Sequence, residues 1–124
     1  MGMYTEIFVN TDLKENTPSS VIEVLQAICD RNHAAACLQD KPRRWSILFC
    51  DMSYYTPRTC CAALTFDDIS GGYSLIGKGD IKNYDDEIEQ FFEFIMPWCE
   101  SDFIGYYRYE ENREPTLVFS RNQE

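Results

Sequence analysis

Positive charge is what this sequence has least of. Its 11 lysines and arginines face 21 aspartates and glutamates, for a net charge of −10 over 124 residues, and His33 is the one histidine. Proteins that hold nucleic acid do so largely through Lys/Arg contacts that release counterions from phosphates, so direct nucleic-acid binding is not expected. The same deficit argues against attachment to anionic membranes. Long apolar runs are missing too; none approaches the roughly 20 residues that a bilayer span needs. The opening Met1-Gly2-Met3-Tyr4-Thr5-Glu6 has neither a basic n-region nor an apolar h-region. No secretory signal is read there, and Met1-Gly2 looks like a cloning addition ahead of a start at Met3. Paired C-x-x-C motifs are absent, and Gly71-Gly72, Gly77 and Gly79 form no phosphate loop, because Lys78 lacks a following Ser or Thr. These absences favour a cytoplasmic protein with no cofactor and with reduced thiols at Cys29, Cys37, Cys50, Cys60, Cys61 and Cys99.

Apolar residues are plentiful, at 44% with 15% aromatic, which suffices for a core in a single domain spanning residues 1–124. From Met3 to Leu13, Ile7, Val9 and Leu13 alternate with polar neighbours and Phe8 takes the other face, which predicts a strand. Thr17-Pro18 predicts a helix start, with Thr17 as N-cap and Pro18 in the first turn. Val21, Val24, Leu25 and Ile28 then follow at helical spacing. A short helical turn is expected at Ala34 to Leu38, strands at Trp45 to Asp51, Cys60 to Phe66 and Tyr73 to Lys78, and a turn at Ser53 to Thr59. Asp67 to Gly72 reads as a hairpin connection. The second helix has the clearest pattern: Ile88, Phe91, Phe92, Ile95, Met96 and Cys99 form one broad apolar face, Asn83 or Asp85 can cap it, and Pro97 ends or kinks it. Phe103 to Tyr109 and Thr116 to Phe119 are the last strands. The order β-α-β-β-β-α-β-β implies an α+β fold, an antiparallel β-sheet with two helices packed on one face, as a ferredoxin-like variant.

Four sets of residues could carry chemistry. His33 and Cys37 at i, i+4 could join Cys60 and Cys61 around zinc, or supply a thiol and its base to a small metal- or thiol-dependent enzyme. Adjacent cysteines on a strand point to opposite faces, however, which weakens both ideas. Asp67-Asp68 has structural work as a turn, and Asp85, Asp86 and Glu87 fall in the first turn of the second helix, where carboxylates suit the positive helix end and solvent. Tyr54-Tyr55 and Tyr106-Tyr107-Tyr109 form dense aromatic runs, and exposed tyrosine favours protein interfaces. Between Asp80 and Glu114 eleven acids stand against three bases, for a net −8. The candidate partner-binding set is Asp85, Asp86, Glu89, Glu93, Tyr107, Tyr109, Glu110, Glu111 and Glu114. Tyrosine beside carboxylate suits a basic protein partner.

Lys82-Asn83-Tyr84-Asp85-Asp86-Glu87-Ile88, Ile95-Met96-Pro97, Arg108-Tyr109-Glu110-Glu111 and Glu114-Pro115-Thr116-Leu117 resemble a group of small acidic bacteriophage and prophage proteins. Met3-Tyr4-Thr5-Glu6 and Thr17-Pro18 with Val21-Ile22 are similar to the same group. The resemblance implies a host-cell cytoplasmic setting, and action by binding a host protein as an inhibitor of defence or as a nucleic-acid mimic. It brings no activity to any residue. The functional expectation is therefore a non-enzymatic acidic protein-binding module, with a metal- or thiol-dependent enzyme and a small-molecule-binding or self-associating domain as alternatives.

Overall fold

The computed structural model describes residues 4–49, 62–69, 71–83 and 86–120. Five strands, β1 (Thr5–Asp12), β2 (Ala62–Asp67), β3 (Gly72–Ile81), β4 (Phe103–Tyr109) and β5 (Thr116–Phe119), form one antiparallel sheet in the order β2-β3-β1-β4-β5. Two α-helices, α1 (Ser19–Cys29) and α2 (Glu87–Ile95), complete an α+β fold. β1 is central and pairs on both sides, so Thr5 lies opposite Ile81 on β3 and opposite Tyr109 on β4. Its alternation is clean. Thr5, Ile7, Val9 and Thr11 are buried, whereas Glu6, Phe8, Asn10 and Asp12 are not. Among the described residues, helices cover one face of the sheet, which shares a core with Val24, Leu25 and Ile28 of α1 and Ile88, Phe91 and Ile95 of α2.

Three expectations change. Trp45 to Phe49 is not a strand: Arg43–Ile47 is a 3-10 helix led by Pro42, so the sheet has five strands instead of six. Its apolar residues bury all round rather than alternating. The Trp45 ring meets Phe91 edge-on at 5.6 Å and Phe49 meets Phe91 at 5.5 Å. Gly77 makes room for this, because a Cβ there would stand 2.7 Å from the Phe49 ring. The helix cap also moves. Pro18 is the N-cap of α1, and Thr17 instead donates its hydroxyl to the Lys14 carbonyl at 2.6 Å. Third, Glu87 is no surface residue. It is 1% exposed, accepts from the Arg44 guanidinium and from the Arg44 backbone N–H, each at 3.1 Å, and its own carbonyl takes the Trp45 indole N–H. The turn at Ser53 to Thr59, Tyr54-Tyr55 and the pair Cys60-Cys61 lie outside the described residues, as does Asp85.

Candidate functional site

α2 packs toward β4, with its Phe92 ring 6.0 Å from that of Tyr107, and β5 extends the sheet past β4. A groove opens between the helix and the β4–β5 hairpin, as two adjoining hollows of about 350 Å³ and 250 Å³ that share Glu89, Tyr107 and Thr116. Tyr107 forms the floor. It pairs with Ile7 on one side and Thr116 on the other, so register points it toward the helix, where its ring lies 6.0 Å from Phe92. Burial pushes the Tyr107 hydroxyl pKa up; the charge of Glu89 raises it further, a hydrogen bond with Thr116 opposes the rise, and the charge of Asp86 adds to it. The phenol is thus kept neutral at physiological pH by burial and by the charges of two carboxylates.

Asn83 builds one wall. Its side-chain oxygen accepts from the Ile88 N–H at 3.0 Å, capping α2, and its amide donates to Glu89 at 2.8 Å. Asn83 rather than Asp86 does the capping: Asp86 sits in the left-handed region at φ 57 with no side-chain cap bond. Glu93, one turn beyond Glu89, is exposed on the rim, with Met96 and Phe119 below it. Tyr109 and Asn112 close the other end. The structure therefore brings Glu89, Glu93, Tyr107 and Tyr109 of the expected set to the groove, and the charge of exposed Asp86 acts on Tyr107. Glu111 and Glu114 are exposed in the hairpin loop that supplies Asn112. Glu110 has a different task, since its carboxylate accepts from the Tyr4 N–H at 2.6 Å and ties the start of β1 to the end of β4.

Of the metal and thiol set, His33 and Cys37 are among the described residues. His33 is exposed, and the Cys37 thiol donates to the Glu23 carbonyl at 3.6 Å. Cys29 and Cys99 are buried. Among the described residues, no three His, Cys, Asp or Glu side chains converge as metal ligands. Sequence reasoning missed a larger hollow, about 620 Å³, at the opposite end of β1, lined by Asp12, Glu15, Asp67 and Glu100 beside Lys14. Its acids come from separate segments, and two have local bonds: Asp12 accepts from the Ser74 hydroxyl at 2.6 Å and Asp67 from the Ile69 N–H at 3.0 Å. No helix among the described residues is long and apolar enough to cross a membrane. No family model, no curated protein and no solved structure matches this chain.

Proposed function

We propose that this chain is a non-enzymatic acidic protein-binding module that receives a basic protein in the groove between α2 and the β4–β5 hairpin. One observation carries the reading: a half-buried tyrosine, Tyr107, floors an open groove lined by Glu89 and Glu93, and the charge of Asp86 also reaches the phenol. Such a site offers an aromatic anchor point with carboxylates around it, the arrangement that selects Lys and Arg side chains and steers a cationic partner during approach. The resemblance to phage proteins suggests the biological use, inhibition or nucleic-acid mimicry aimed at a basic host protein such as a defence component.

The test reverses charge without disturbing the fold. Glu89 supports the Asn83 cap, so the variant is Glu93→Lys with Glu114→Lys, two exposed positions. A partner captured from host lysate is purified and titrated against wild type and variant at low and high salt. Affinity should fall in the variant at low salt. The difference should shrink as the Debye length drops from about 10 Å at 0.1 M to about 3 Å at 1 M. Equal binding at low salt, with unchanged melting, removes the groove as the contact surface.

A further inference from the structure

The helix-free face of the sheet has a charge pattern unlike the rest of the molecule. Strand register sets out its rows. Lys78 on β3, Phe8 on β1, Tyr106 on β4 and Leu117 on β5 lie side by side, and Asp80, Glu6 and Arg108 form the next row. The Phe8 and Tyr106 rings stack at 5.6 Å, and Leu117 is 51% exposed. Two acids and two bases stand in these rows, so the centre of this face is neutral in a protein of charge −10. Glu6 and Arg108 are paired at 2.7 Å.

We propose that this face joins two copies of the chain, related by a two-fold axis that runs parallel to β1 between facing sheets. The register supplies the complementarity. Such a rotation keeps each residue in its row and exchanges the two flanks of β1, so β3 of one copy lies over β4 of the other. Asp80 then faces Arg108 of the second copy and Lys78 faces the Tyr106 ring, and each of these flank pairs occurs twice in a two-fold contact. On the axis Phe8 meets Phe8 once, and Glu6 faces Glu6, each of them offset by the Arg108 of its own chain at 2.7 Å. Facing sheets pack about 10 Å apart, a gap that Lys and Arg side chains bridge. The cation over the tyrosine and the Asp–Arg pair are both attractive, so both flanks favour the same arrangement. Whole-molecule repulsion opposes it, and salt screens that repulsion. The dimer should therefore tighten as salt rises, whereas binding of a basic partner in the groove should weaken.

Sedimentation equilibrium at concentrations up to several hundred micromolar, in low and high salt, decides the matter. Wild type should show a reversible dimer that grows with concentration and with salt. Asp80→Arg should weaken it by about tenfold or more, because two arginines then oppose each other on each flank. Arg108→Asp should do the same, and an equal mixture of the two variants should restore a dimer, with Arg against Asp on both flanks. Arg108 also bonds the Asn112 carbonyl at 2.7 Å, so this variant is checked by melting. If it does not fold, Asp80→Arg and Phe8→Glu still decide. Glu93→Lys should leave the dimer intact, which separates this face from the groove. Wild type that stays monomeric in all conditions, or a dimer that survives both Asp80→Arg and Phe8→Glu, overturns the proposal.

Discussion

Cys99 and Tyr107 are both pushed toward their neutral forms, and in each case burial is the main cause. For Cys99 burial raises the thiol from 9.0 to about 11, against a hydrogen bond with Thr11 and the charge of Lys14. The folded value lies above the unfolded one, so the resulting stability is complete below pH 9.0 and is lost as pH climbs toward about 11. A shift of this size corresponds to about 2–3 kcal/mol. Melting curves from neutral pH upward should thus fall more steeply for wild type than for Cys99→Ala across that window; parallel slopes would remove the buried-thiol account. Single residues were also where sequence reasoning fell shortest. Gly77 reads as a hairpin or bulge glycine, yet it lies within β3 because the Phe49 ring occupies the space of its Cβ. Glu87 reads as a surface acid favoured by the helix dipole, and its partner Arg44 lies 43 positions away. Helical spacing reports which residues share a face, not which distant cation will cover one of them.

α2 is the element most legible in the sequence, because a continuous apolar face demands burial whatever the surrounding topology. Phe91 is 0% and Phe92 2% exposed, as that spacing predicts. Replacing either by Ala should cost about 3–5 kcal/mol in chemical denaturation, and a wild-type midpoint would show the helix face to be misplaced. The 3-10 helix Arg43–Ile47 is the opposite case. Trp45-Ser46-Ile47-Leu48-Phe49 has strong β-propensity, but such propensity measures fit to a pleated, half-buried surface, and this segment is buried against α2 and β3 instead. Arg44 fastens it there. Arg44→Ala leaves the Glu87 carboxylate in the core without its guanidinium, so it should destabilise by about 3 kcal/mol or more. Adding Glu87→Gln should recover part of that loss in the same denaturation series; no recovery would mean that Arg44 acts through packing alone. That Glu89, Glu93, Tyr107 and Tyr109 would lie near one another was legible because α2 and the last hairpin are local elements with clear periods. The dual role of Glu89, held by the α2 cap, depended on a bond to Asn83 that no periodicity shows.

At the scale of the whole molecule, the proposed groove contact should weaken and the proposed dimer should tighten as salt rises, so one titration series tests both. The strand order adds a constraint of another kind. β1 is first in the chain and central in the sheet, yet its two neighbours are β3 and β4, and its pairings Thr5 with Ile81 and Thr5 with Tyr109 span most of the sequence. During synthesis β1 leaves the ribosome long before either neighbour, and loop-closure entropy must be met before those pairings give anything back. A chain ending after Asn83 would hold β1, β2 and β3 but lack α2 and the β4 side of the sheet. It should show no cooperative melting and should expose its apolar strands. Productive folding therefore waits until α2, β4 and β5 have been made, and until then β1 must be kept from pairing with other nascent chains.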